Sequence, residues 1–244
     1  MFTDKMFHLG RSLVHAPEPV NNELRRKNRK MTHPLTDQPK LLRDRTAVED
    51  RLAQLQEPHV KPLTAYVEAL RSEVGCPFIP YFDPWDGGIN AECLFLLEAP
   101  GSNAVASSFI SRNNNDETAK NFFILNHEAG LPRERTISWN IIPWYIGTET
   151  KIRAANNKDI ADGISHLLSL LELLPKLRAV VLLGRKAERA ESHFPSMKPE
   201  VKIFSSPHPS PLYVNNAPGN RDQILKILID VADFISEKRK VKLA

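Results

Sequence analysis

Four short apolar runs, separated by helix-patterned sequence and each leading into a turn-rich segment, restrict this chain to few folds. They are Cys93-Leu94-Phe95-Leu96-Leu97, the stretch from Thr136 to Ile142, Ala179-Val180-Val181-Leu182-Leu183, and Val201-Lys202-Ile203-Phe204-Ser205. A short, continuous apolar run is the pattern of a strand buried on both faces of a parallel sheet. Between the runs, residues 116–130 read as a helix ending at Gly130. Residues 157–174 read as one amphipathic helix with Ile160, Ile164, Leu167, Leu168 and Leu171 on its apolar face, Lys186 to His193 as a short helix, and 220–237 as the last helix. Upstream, Leu52, Leu55, Leu63, Val67 and Leu70 recur at near-helical spacing over 46–74, with Pro58 and Pro62 dividing the stretch into two helices and Gly75 closing the second. This alternation predicts an α/β fold: a single domain with a central four-stranded parallel sheet, right-handed crossovers and helices on both faces. In such sheets the ligand site forms at the carboxyl ends of the strands.

Composition narrows the setting. The chain has 244 residues and 41% apolar residues, ample for one α/β domain with extensions. Without a run of about 18 apolar residues, no membrane-spanning helix is expected. The first nineteen residues lack the uninterrupted apolar stretch of a secretory signal. Cys76 and Cys93 are the only cysteines, too few for a disulfide framework or a four-thiolate site, so a reduced, cytoplasmic setting fits. The eight histidines show no His-x3-His spacing, so no metal is expected. Charge is unevenly placed: residues 1–45 hold ten Lys/Arg and five acids, a balance of +5, so the rest of a chain of net +4 sums to −1. Residues 1–45 therefore read as a basic, disordered arm and 46–244 as the domain. The run Arg25-Arg26-Lys27-Asn28-Arg29-Lys30 can hold phosphates by counterion release, although a solvated tail is the plainer reading.

Polar groups and rigid turns stand where the strands end. Glu98-Ala99-Pro100-Gly101 follows the first run. Trp139-Asn140-Ile141-Ile142-Pro143-Trp144 closes the second, Gly184-Arg185-Lys186 follows the third, and Pro207-His208-Pro209-Ser210-Pro211-Leu212 follows the fourth. Before the first run, Asp83-Pro84-Trp85-Asp86-Gly87-Gly88 reads as a turn held by Asx bonds, its acids being second-choice candidates for the site.

These segments resemble the motifs of the uracil-DNA glycosylase superfamily. Glu98-Ala99-Pro100-Gly101 is similar to the first motif, most closely to the Gly-Glu-Ala-Pro-Gly of the thermophile-type branch. His208-Pro209-Ser210-Pro211 matches the second. Ser108-Phe109-Ile110-Ser111-Arg112 resembles the stretch that supplies a stacking phenylalanine, and Ala179 to Ala190 a strand and helix of the same family. The likeness runs from about 76 to 235. It implies a DNA base-excision glycosylase acting on uracil, with other deaminated bases in reach, on DNA containing a damaged base. It implies no cofactor and no obligate protein partner, and a monomer is expected. The four-cysteine iron–sulfur cluster of the thermophile-type branch is not expected, because neither Cys76 nor Cys93 lies in the matching arrangement.

The chemistry asks for recognisable groups. Such an enzyme flips the nucleotide into a snug pocket. It then needs a group to orient water, a face to stack on, an amide to read the base edge, and a donor for the negative charge that develops on the base. His208 is the candidate donor. Asn140 has both acceptor and donors for a uracil edge. Phe109 is the candidate stacking ring, and Leu212 the residue that fills the emptied stack. Ala99, Pro100, Gly101 and Ser210 are expected against the substrate, with Gly101 leaving room where the strict uracil enzymes carry a tyrosine. Those enzymes place an Asp immediately before the proline; here that residue is Ala99. Glu98, one residue earlier, or Asn103 is then the water-orienting group. The alternative is a protein of the same fold that binds DNA or a nucleotide without cleaving it.

Overall fold

Pro62 sits at the start of a helix, where its missing N–H is no loss, and Gly75 ends that helix in the left-handed conformation at φ +64°. The computed structural model describes residues 35–147 and 153–237. The chain divides into two units, Met1–Thr36 and Asp37–Ala244, and the elements described below belong to the second. Helices α1 (Arg45–Leu52) and α2 (Lys61–Val74) lead to a two-residue strand, β1 (Tyr81–Phe82), and to β2 (Cys93–Leu97). Then follow α3 (Ser102–Ser107), β3 (Phe109–Ile110), α4 (Glu117–Glu128) and β4 (Thr136–Asn140). The second half comprises α5 (Asn157–Ser165), α6 (Leu167–Glu172), β5 (Ala179–Leu183), α7 (Phe194–Met197), β6 (Lys202–Ser206), α8 (Pro211–Val214) and α9 (Asn220–Ser236). The stretch Ala187–His193 is a 3-10 helix.

The main sheet has four strands in the order β4-β2-β5-β6, all parallel, as the alternation predicts. The short pair β1-β3 stands apart from it. Alternate residues of each strand face opposite layers. Leu94, Leu96, Ile137, Trp139, Val180 and Leu182 pack with residues of α2, α5 and α6. Cys93, Phe95, Ala179, Val181 and Leu183 pack with residues of α4 and α9. The register sets Thr136 beside Cys93 and Asn140 beside Leu97, so the α4 side of β4 carries Thr136, Ser138 and Asn140. The main sheet reverses direction at β2, with β4 on one side and β5 on the other, and this switch point opens a crevice at the carboxyl ends.

Two boundaries differ from expectation. The helix foreseen over 157–174 is broken at His166, where the backbone carbonyl accepts a hydrogen bond from the Tyr66 hydroxyl (3.1 Å). The domain also takes in residues before 46. Leu41 and Leu42 are buried beside Ala47 and Phe109, and Asp37 pairs with Arg133 at 2.8 Å. Those apolar side chains lie in a sequence too polar to announce them. The cationic run at 25–30 lies outside the described residues. Among the described residues, no helix is long and apolar enough to cross a membrane.

Candidate active site

The two strands that define the crevice are tied together past their ends. The N–H of Ile141 donates to the carbonyl of Leu97 (2.7 Å) and that of Ile142 to Glu98 (2.9 Å). The segment carrying Asn140 therefore cannot move independently of the segment carrying Glu98 to Gly101. Above them lie two cavities. The first, of about 370 Å³, runs between the end of β2, the α4 face of β4 and the starts of α3 and α4; Ala99, Pro100, Gly101, Asn103, Asn140 and His208 all line it. The second, of about 500 Å³, opens beyond the ends of β5 and β6 and is lined by Glu98, Gly184, Lys186, Tyr213 and, again, His208. His208 is the partition between them.

Asn140 is buried at 4% exposure, yet among the described residues no group hydrogen-bonds its side-chain amide. The residue lines the first cavity, so its amide is open to a ligand there. The His208 imidazole is held below its ordinary pKa by burial, with Glu98 and then Asp116 pulling the other way. At neutral pH the ring is neutral and keeps one N–H to donate. A side chain at Gly101 would meet no atom within 4 Å, so the space expected there is present. Gly184 is constrained differently: its φ is +89° and a Cβ would stand 3.1 Å from that of His208. Gly184→Ala is therefore expected to cost at least ~1–2 kcal/mol from the backbone alone. A melting temperature lowered by a few degrees in calorimetry would confirm it; an unchanged one would show that the loop relaxes freely.

Other candidates lie elsewhere. Glu98 lines the second cavity, not the one that Asn140 lines, and its carboxylate accepts a long bond from the Ala155 N–H (3.3 Å). Phe109 is a correction. It is fully buried in a separate cluster with Leu41, Leu42 and Ala47, so no face of its ring is free to stack on a base. The aromatic wall of the first cavity is Phe122, held edge-on by Phe95 with ring centroids 4.8 Å apart. The Ser210 hydroxyl caps α8, accepting from the Tyr213 N–H. Leu212, on that short helix, is 83% exposed. The hydroxyl of its neighbour Tyr213 is instead bonded to Gln223 (2.6 Å). Arg185 is exposed, while Lys186 donates to the Ala155 carbonyl (2.7 Å).

Arg112, Asp116, Ser138 and Phe122 are among the cavity residues not anticipated from the sequence. Ser138 had a signal, since Thr136, Ser138 and Asn140 repeat at the strand period inside an apolar run. Asp116 had another, as an acid opening a helix: its carboxylate caps α4, accepting from Ala119 N–H at 2.8 Å. Arg112 had none. It is held by a buried charge network beneath the cavity, built on the loop that reads as a simple turn. Asp83 does accept the Asx bond from Trp85 N–H (3.0 Å), but it also pairs with Arg51 and with Arg133 (2.6 Å) and accepts from the Ser111 hydroxyl. Arg133 reaches Asp86 as well (2.9 Å), and the Arg51 guanidinium lies 3.5 Å above the Trp85 ring. Neither Asp83 nor Asp86 lines the cavity.

The family model of the uracil DNA glycosylase superfamily matches residues 84–232, from the charged loop to α9. A solution NMR structure of a candidate uracil DNA glycosylase from Methanosarcina acetivorans is similar at 18% identity, over 58% of this chain and 91% of that one, with a TM-score of 0.42. No curated protein matches the sequence. With the two strand-end motifs at one crevice and a family model spanning more than half of the chain, the protein belongs to the uracil DNA glycosylase superfamily.

Proposed function

We propose that the protein is a DNA base-excision glycosylase that hydrolyses the N-glycosidic bond of uracil, and of other deaminated bases, after flipping the nucleotide out of the helix. The observation that carries this reading is the Asn140 amide, without a hydrogen bond among the described residues, lining the same cavity as a neutral His208. Asn140 reads the base edge. As the bond to the sugar breaks, its electron pair moves to the base, and the His208 N–H donates to the base oxygen where the charge collects. Water bonds to the sugar carbon and gives its proton to a carboxylate. Leu212 fills the space that the flipped base leaves, and the DNA strand is the partner.

Two carboxylates flank His208, Glu98 from one cavity and Asp116 from the other. Asp116, with Asn103, lines the cavity of Asn140, and we assign it the water. Asp116→Asn is expected to slow single-turnover excision by about 10²-fold, the low end for loss of a general base. Glu98→Gln is expected to slow it less than tenfold. The reverse order would return the role to Glu98.

A binding-only role is favoured by one observation: Ala99 stands immediately before the proline, and Glu98 lines the neighbouring cavity. The deciding experiment incubates the protein with oligonucleotides holding uracil, hypoxanthine or xanthine, then adds alkali to reveal abasic sites. Strand breaks at a deaminated base support the enzyme. Intact strands with all three, together with retained DNA binding, support the binding-only reading.

A further inference from the structure

The wall of the first cavity that carries Asp116 has a backing of its own. Ser111, Arg112, Asn114, Asp116 and Thr118 line that cavity, while Asn113, in their midst, does not. Asn113 is fully buried and bonded instead to a segment near the start of the described chain. Its Nδ2 donates to Asp37 Oδ1 (2.8 Å) and to the Gln38 carbonyl (2.7 Å). Its own backbone carbonyl accepts from the Leu42 N–H (3.0 Å). Arg133 Nη1 ties the two sides again, donating to Asn113 Oδ1 (2.6 Å) and to both Asp37 oxygens (2.8 and 2.9 Å). Lys40 pairs with Glu117, the residue that follows Asp116. Residues 37–42 are therefore bound to both ends of the segment 113–117.

The backbone on both sides of this contact is held in an unfavourable conformation. Lys40 (φ +60°) and Ser108 (φ +67°) are the two non-glycine residues with positive φ among the described residues. They immediately precede Leu41 and Phe109, which are buried in one cluster with Leu42. A left-handed residue with a Cβ costs free energy, and it persists where the surrounding contacts outweigh that cost. From this cluster the connection to the cavity is short. Asn114 Nδ2 donates to the Phe109 carbonyl (2.9 Å), and its Oδ1 accepts from the Ser107 hydroxyl (2.6 Å). The Asn114 carbonyl in turn accepts from the Asp116 N–H (2.9 Å).

We infer that residues 37–42 brace this cavity wall, and that Asp37 and Asn113 are positioning residues that fix the Asp116 carboxylate for the reaction without touching substrate. This rests on the glycosylase reading and on Asp116 as the group that holds the water. Rate is sensitive to such bracing, because a misplacement of about 1 Å can cost ~10²-fold.

The test compares the full chain with its Asp37→Ala, Asp37→Asn and Arg221→Ala variants, with melting curves to confirm folding. Asp37→Asn keeps an acceptor oxygen for Asn113. Arg221→Ala removes an exposed ion pair with Glu128 at the far end of α4 and shows what lost surface pairing alone does. Amide hydrogen exchange reads the looseness of 111–119. Single-turnover excision of uracil from an oligonucleotide reads the maximal rate and the half-saturating concentration. Asp37→Ala is expected to speed exchange over 111–119 at least tenfold, to leave 179–183 unchanged, and to lower the maximal rate at least tenfold with half-saturation within twofold of wild type. Asp37→Asn is expected to stay within threefold of wild type on each measure, and Arg221→Ala to match it. If Asp37→Ala does not fold, Lys40→Gln decides by the same measures. Wild-type exchange or a wild-type maximal rate in Asp37→Ala overturns the inference. So does an Asp37→Asn protein as slow as Asp37→Ala, or an equal loss in Arg221→Ala. Faster exchange in Asp37→Ala with no excision by wild type ends the glycosylase reading alone; excision by wild type that Asp37→Ala leaves unchanged ends the inference alone.

Discussion

His208→Ala is expected to slow base release by at least about 10²-fold, the loss typical when one donor to a developing anion is removed. Binding to DNA should change little, because the imidazole is half-buried at the partition between two cavities rather than on the exposed surface. The direction of its pKa adds a second signature. Burial holds the ring below its ordinary value of 6.5, against the pull of Glu98 and Asp116, so the neutral form persists as pH falls through 6.5. The wild-type single-turnover rate should therefore stay level from pH 7 to below 6.5 and decline only in more acid solution. A donor acting as the imidazolium would do the opposite, gaining rate as pH falls. An unchanged rate in His208→Ala would remove this residue from the mechanism, and a rising acid limb would remove the neutral donor.

Asp83→Ala is expected to be the most damaging single change to stability. It leaves the Arg51 and Arg133 guanidiniums without their shared carboxylate in a site where Arg51 is fully buried. Breaking a buried pair from one side costs about 3–5 kcal/mol, a large share of the 5–15 kcal/mol that holds a typical domain folded. Asp37→Ala, which removes a more exposed partner of the same Arg133, is expected to cost only about 1 kcal/mol or less. Urea unfolding of the two variants measures the difference, and similar midpoints would show that the network contributes little. Acid provides an independent check. Burial, the largest influence, pushes the Asp83 carboxyl up, but Arg133, Arg51 and the bonds from Ser111 and Trp85 together outweigh it and hold it at about 2, below the ordinary 3.8. The stability it contributes is then complete above pH 3.8 and is lost as pH falls from there through about 2. Wild type should show that loss, and a variant without the Asp83 carboxylate should lack it.

Read from its residues alone, the chain already declares its layers. The apolar runs at 93–97 and 179–183 carry their own strand signal, because a strand covered on both faces must be apolar at every position. The motifs at Glu98 to Gly101 and at His208 are legible because each follows a strand directly, and a parallel sheet brings all its carboxyl ends to one edge. Asn140 could be placed there for the same reason. What lies beyond the reach of local pattern is the pairing of side chains distant in sequence. Phe109 and Phe122 are both aromatics near the first motif, and only packing decides that one fills a core with Leu41 and Leu42 while the other walls the cavity. The loop at 83–86 carries the signs of a turn, which it is. Its acids meet Arg51, Arg112 and Arg133 only in three dimensions, where burial makes each unpaired charge costly and so draws the partners together. The side of His208 on which Glu98 falls, and the residues that share the cavity of Asn140, likewise depend on how α3, α4 and β4 pack. Backbone propensity and hydrophobic period act over a few residues, so they determine the elements and their order; the direction of a buried polar side chain is set by whichever partner satisfies it, and that partner is known only once the chain has folded.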